Sequence, residues 1–138
     1  EGNAPARDND WEQVKRGGDR AIQNWIDAQL KGRSCSVILV GAETAKRKWI
    51  DYEIEKSWND GKGVVGVHIH NLLNRHGQQS RRGANPFEHF TMQRDNQKLS
   101  NIVKCYNVNS NDSKAVYNTI RNNIAAWIEE AIRIRNAY

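Results

Sequence analysis

Ser34–Gly41 reads SCSVILVG and Gly63–His70 reads GVVGVHIH, and these two stretches decide the fold. Each is a short, nearly continuous apolar run rich in β-branched residues. A strand with one wet face alternates apolar and polar residues. A strand that is apolar throughout is buried on both faces, as parallel sheets require. Between the two runs, Ile50, Ile54 and Trp58 recur every four residues and mark the core stripe of a helix. Thr44 is placed to cap that helix and Gly61 to end it.

Working outward, residues 1–18 are polar, without sustained periodicity, and read as a loop. Asp19 precedes Ala21, Ile22, Trp25, Ile26 and Leu30, an i, i+3, i+4 stripe that predicts a helix with Asp19 as its N-cap and Gly32 as its stop. Downstream, residues 71–100 form a long irregular stretch with Gly77, Gly83 and Pro86, and a short helix is expected after Pro86. A loop of this size inside a compact domain is usually functional. Asn101–Asn107 (NIVKCYN) predicts a third strand. Ser113 is placed to cap a long helix that carries Val116, Ile120, Ile124, Trp127, Ile128 and Ile132 on one face. Buried strands in this order mean an α/β fold with a parallel sheet. Three strands are few for such a sheet, so one or two more are expected upstream of Glu1. Without them the Ser34–Gly41 strand would show an open apolar edge, an aggregation hazard, and that edge is expected to be covered by further chain or by a neighbouring molecule.

The 138 residues suffice for one domain and not for two ordinary ones. With 38% apolar and 27% charged residues the chain should fold around a core. No apolar run is long enough to span a membrane, and no signal-peptide pattern opens the chain. Cys35 and Cys105 cannot form a disulfide framework or a zinc site of cysteines alone, so reduced thiols and a cytoplasmic location are expected. The charge is uneven: residues 61–104 hold seven Lys/Arg against two Asp/Glu, whereas residues 1–60 hold ten against eleven. A nucleic-acid surface is one reading of the basic segment, and a pocket for a phosphorylated small molecule is another. A solvated loop exposing Arg75, Arg81 and Arg82 is favoured over the nucleic-acid surface.

Gly61-Lys62-Gly63-Val64-Val65-Gly66 matches GxGxxG in the wrong place. The dinucleotide fingerprint follows a strand and opens a helix, whereas this one follows a helix and opens a strand. His68 and His70 alternate on one strand and share a side. With His76 or Cys105 they could bind metal, but packing at the end of the sheet is the favoured reading. His70 ends a strand, where ligands gather in open α/β sheets. Asn111-Asp112-Ser113 has the pattern of a glycosylation sequon, though Ser113 is more useful as a helix cap.

Trp49 and Glu53 are the sharpest pair. At i and i+4 they share a helix face, offset by about 100° from the Ile50, Ile54 and Trp58 stripe. The helix starts just after a buried strand, so this face lies near the carboxyl edge of the sheet. A carboxylate beside an indole there can meet a ligand, and an indole that limits its hydration can raise its pKa. The competing reading is an exposed glutamate next to a tryptophan that covers the sheet edge.

The stretch Ser34–Glu53 (SCSVILVGAETAKRKWIDYE), GVVGVHIHNL and Asn85-Pro86-Phe87 together resemble the TIR-like family typified by the Thoeris antiphage TIR proteins. The resemblance runs from about Trp11 to Phe87 and is carried by C-x-V-x-L-x-G, T-x-x-R-x-W-x-x-x-E and V-x-I-H. It implies a flavodoxin-like, three-layer sandwich around a mostly parallel sheet, with residues 1–138 as a single TIR-like domain that lacks its first strands. It implies cleavage of NAD at the nicotinamide–ribose bond, with a linear or cyclic ADP-ribose-type product that reaches a downstream effector. The family's catalytic glutamate matches Glu53, and the tryptophan four residues before it matches Trp49. The candidate site is therefore Glu53 as the catalytic residue, with Trp49, His70, Asp19 and Asn85 as substrate-binding residues. The basic 75–82 segment or His70 is the candidate for meeting the diphosphate. NAD is the substrate, and no metal, cofactor, membrane or nucleic acid is expected. A non-catalytic module that self-associates through TIR surfaces is a second reading. A relative of nucleoside deoxyribosyltransferases, which share a similar sheet and a sugar-directed glutamate, is a third.

Overall fold

The computed structural model describes residue 24, residues 34–72 and residues 77–138. Strand β1 spans Cys35–Val40 and is followed by a 3-10 turn at Thr44–Lys46. Helix α1 spans Lys48–Asn59 and strand β2 spans Gly63–His68. Two more 3-10 turns, Pro86–His89 and Leu99–Asn101, precede strand β3 at Cys105–Tyr106 and helix α2 at Ser113–Ala137. The helix predicted over Asp19–Leu30 lies outside the described residues except for Asn24, which is helical.

The sheet order is β1-β2-β3, with both pairs parallel. Cys35 aligns with Gly63 and Val40 with His68. Cys35, Val37 and Leu39 of β1 and Val65 and Val67 of β2 face α2, where they pack on Val116, Ile120, Ile124 and Ile128. The alternate residues Ile38, Val40 and Val64 face Ile50, Ile54 and Trp58 of α1, together with Phe87 and Leu99 from the long irregular stretch and Val103 just after it. Both faces of the sheet are covered, which is why its strands are apolar throughout. The result is the expected α/β sandwich of three layers.

Four local expectations need correction. Thr44 does not cap α1. Its hydroxyl accepts from the Gly41 N–H at 2.8 Å and donates to the Leu39 carbonyl at 3.3 Å, so it closes the end of β1. Ser113 is the first residue of α2 rather than its cap; the Asp112 carboxylate caps the helix by accepting from the Lys114 N–H at 3.1 Å. The third strand is only two residues long. The Leu99–Asn101 turn, whose Leu99 carbonyl accepts from both Ile102 and Val103, takes up the first part of the predicted run. Strand β2 stops at His68, so His70 lies two residues beyond it. Trp127, by contrast, is on the expected face of α2, packed partly buried on the core and stacked on Tyr106 at 4.2 Å between ring centroids.

The GxGxxG glycines serve packing. Gly61, at φ +82°, turns the chain out of α1. A side chain at Gly63 would lie 2.7 Å from the α2 backbone at Ala131, and one at Gly66 would lie 2.8 Å from Cys105 Sγ. No helix among the described residues is long and apolar enough to cross a membrane.

Candidate functional site

Helix α1 is anchored by its Ile50, Ile54 and Trp58 stripe, which is 5%, 0% and 7% exposed. A hydrogen bond of 2.8 Å between the Ser57 and Ser36 hydroxyls ties the helix to β1. Once that stripe faces the sheet, the helical repeat turns Trp49 and Glu53 to the side, past the outer edge of β1. There they line a cavity of about 430 Å³ together with Val37, Ile38, Leu39, Ile50, Ile69, Asn24, Thr44 and Arg47. Val37, Ile38 and Leu39 are consecutive and their side chains alternate between the faces of the sheet. All three can line one cavity only where it meets β1 along its edge. Among the described residues, no strand pairs with that edge.

Trp49 and Glu53 also line a second, shallower hollow of about 420 Å³ with Ser36, Tyr52, Lys56 and Ser57, so the pair forms the wall between the two. Glu53 is exposed, and Trp49 is 59% exposed. Trp49 is therefore not a core residue. Neighbouring acids are used differently. Asp51 is paired with His89 Nδ1 at 3.1 Å, and Glu55 lines a separate cavity with Trp58, Phe90 and Tyr138.

The segment that carries Trp49 and Glu53 is also matched by a known family. The family model for the Thoeris protein ThsB, TIR-like domain, matches residues 1–74, more than half of the chain. The chain belongs to the Thoeris ThsB TIR-like family. A protein of Bacillus cereus (strain MSX-D12) named "Putative cyclic ADP-D-ribose synthase ThsB1" is 34% identical over 83 residues, which is 60% of this chain and 43% of that protein. The chain thus aligns with less than half of that relative's length. The part matched by the ThsB family model contains β1, α1 and β2, and hence Trp49 and Glu53.

Not every residue expected in the ThsB-like site is brought to this cavity. His70 and Asn85 are absent from its lining. Asn85 is committed elsewhere: its side-chain oxygen accepts from the Phe87 N–H at 2.9 Å and caps the Pro86–His89 turn. Asp19, Arg75 and His76 lie outside the described residues. Arg81, from the basic segment, pairs with Glu43 and ties that segment to the loop between β1 and α1.

His70 sits instead with His68, edge-on at 5.8 Å between ring centroids. Their Nδ1 atoms are buried and, among the described residues, have no hydrogen-bond partner. Burial, then the nearby Arg82 and then His70, pushes the His68 pKa down to about 4, so its ring is neutral near pH 7. Burial and then Arg82 lower that of His70. Cys105, on the same side of the sheet, has its thiol pushed up to about 12 by burial, with Arg82 acting in the opposite direction. It is a partly buried, protonated thiol and no nucleophile. Among the described residues, no group of three His, Cys, Asp or Glu side chains is placed to hold a metal ion.

Sequence reasoning missed three polar residues of the cavity, Asn24, Thr44 and Arg47. Thr44 and Arg47 stand in T-x-x-R-x-W-x-x-x-E, and that motif was the signal that could have found them.

Proposed function

We propose that this chain is the TIR-like part of an enzyme that cleaves NAD, releases nicotinamide and forms a cyclic ADP-ribose-type signal for a downstream effector in antiphage defence. The observation that carries the reading is the pairing of Glu53 with Trp49 on one cavity, within the segment that matches the family. The name of the Bacillus cereus relative supports it.

The chemistry follows from charge. The bond between nicotinamide nitrogen and ribose C1′ breaks with its electron pair going to the nitrogen. The pyridinium thereby becomes a neutral leaving group, so no strong general acid is needed. Positive charge appears at C1′ and the ring oxygen, an oxocarbenium-like state. A carboxylate fixed at Glu53 stabilises that charge and orients the ribose hydroxyls. Trp49 walls the pocket beside it. Capture of C1′ by water, which loses a proton, gives ADP-ribose. Capture by a nucleophile of the same molecule gives a cyclic product.

The experiment is to incubate the full-length protein with NAD, triggered and untriggered, and to measure nicotinamide release and the ADP-ribose product, with and without Glu53→Gln. Loss of release in the variant is expected. Full turnover by Glu53→Gln in the triggered protein would refute the reading.

A second reading, self-association through TIR surfaces, is favoured by one observation: Trp49 and Tyr52 are 59% and 65% exposed on the same helix. Tyr52→Ala separates the two. It should leave a monomeric enzyme's turnover per folded molecule unchanged, whereas it should weaken any assembly seen by light scattering.

A further inference from the structure

The start of α1 breaks a local rule. Helices favour Ser, Thr, Asp or Asn at the N-cap and acidic residues in the first turn, because the N-terminus carries unsatisfied N–H groups and partial positive charge. Here the N-cap is Arg47, which makes no side-chain capping bond, and it lies in the run Lys46-Arg47-Lys48. The one acid of the first turn, Asp51, is hydrogen-bonded to His89. Lys46 is paired with Glu43 at 3.2 Å. Among the described residues, Arg47 has no ion-pair partner. Local rules broken without compensation inside a protein point to a functional position.

That position is inside the cavity already described. Of its described lining residues, only Arg47 and Glu53 are charged, one of each sign. Six residues separate them, about 9 Å along a helix axis. The cavity is thus anionic where α1 is well formed and cationic where it begins. We infer that Arg47 binds the diphosphate of the dinucleotide while Glu53 faces the ribose carbon at which nicotinamide leaves. The inference rests on the NAD-cleavage reading and adds to it the residue that recognises the phosphates.

The match is one of charge and shape. NAD is cationic at its nicotinamide end and anionic at its diphosphate, opposite in sign to the cavity at Glu53 and at Arg47. A guanidinium offers paired donors that fit phosphate oxygens, and an anion there also satisfies the uncapped start of α1. The described cations of the 75–82 segment, Arg81 and Arg82, are less suited. Arg81 is held by Glu43, and Arg82, which acts on His68 and His70, is not in the cavity lining.

The test compares the full-length wild type, Arg47→Gln and Lys48→Gln on two substrates. NAD carries the diphosphate; nicotinamide riboside carries the same scissile bond and no phosphate. Arg47→Gln should raise KM for NAD about tenfold or more, with kcat changed by no more than a few-fold, because binding to a phosphate is common to ground and transition states. Its kcat/KM for nicotinamide riboside should stay within about twofold of wild type. Lys48→Gln should track wild type on both. An unchanged KM for NAD, or equal losses on the two substrates, would overturn the assignment.

A calorimetric titration with ADP-ribose tests the same contact without catalysis. Arg47→Gln should bind at least about tenfold more weakly than wild type, and Arg47→Lys should recover part of the loss. Equal affinities, or no binding by wild type, would overturn the proposal. Arg47-dependent binding of ADP-ribose in a triggered protein that releases no nicotinamide would refute the cleavage reading and leave Arg47 as a phosphate-binding residue.

Discussion

Two sides of α1 show what burial does with one helix. Ile50, Ile54 and Trp58 are almost wholly buried against the sheet, Phe87 and Leu99, whereas Trp49, Tyr52 and Glu53 stand exposed along the outer edge of β1. Both sides carry large apolar side chains. Hydrophobicity alone therefore does not separate them. What separates them is the 3.6-residue repeat set against a sheet with a definite edge: one side lands on strands and the other overhangs the last of them. An indole that helps to hold the fold and an indole that walls a cavity differ here by where the sheet ends.

The sharpest way to break this comparison is to empty the buried side. Ile54→Ala, at a side chain with no exposure, should cost about 2–5 kcal/mol of stability by chemical denaturation, since a cavity is left behind. A loss of under about 1 kcal/mol would mean that the two sides are not energetically distinct.

Acid tests the sheet beneath α1. His68 lies on that face, with a pKa near 4 when folded against an ordinary 6.5. Between those values the unfolded chain takes up a proton that the folded chain refuses. The stability this represents is fully present above about pH 6.5 and is lost as the pH falls towards 4, on the order of 3 kcal/mol in all. His68→Leu should flatten that part of the pH profile, measured by denaturation at several pH values. A profile identical to wild type would remove His68 from the account.

On the exposed side the effects should fall on activity. Glu53→Gln keeps the shape and removes the charge, so nicotinamide release should drop by at least about a hundredfold. Its melting temperature should move little. Trp49→Ala should lower NAD cleavage while costing under about 1 kcal/mol of stability, because the indole is more than half exposed. A melt and an activity assay on the same sample decide this; a large loss of stability with unchanged specific activity would make Trp49 a core residue after all. The smallest effects should come from Asp51→Asn and Glu55→Gln. These acids lie about 200° around the helix from Glu53 and line or pair elsewhere, so rates should stay within a few-fold of wild type.

Much of this was legible in the residues. Two apolar β-branched runs of full length determine that their strands are buried on both faces, because no other arrangement takes so many apolar side chains out of water. The Ile50, Ile54 and Trp58 repeat determines which side of α1 meets them, and the i, i+4 spacing puts Trp49 and Glu53 side by side. The T-x-x-R-x-W-x-x-x-E pattern carries the family. Capping was less legible: Thr44, Asp112 and Ser113 all have side chains that can cap, and only the path of the chain selects among them. Thr44 closed a strand instead, and Asp112 displaced Ser113 by one residue.

Only the tertiary structure decided which polar residues share a cavity. His70 was expected to end a strand, but β2 stops at His68, and the His70 ring lies against His68, not in the lining that holds Glu53. Asn85 is spent on a turn. Arg47, which no periodicity marks, reaches the cavity because it stands where the chain changes from loop to helix. The physical reason is one of range. Local periodicity records which side of an element is dry, and so determines the layers. A site is assembled from residues distant in sequence, and their meeting depends on strand register and on where the sheet ends, which no single stretch encodes.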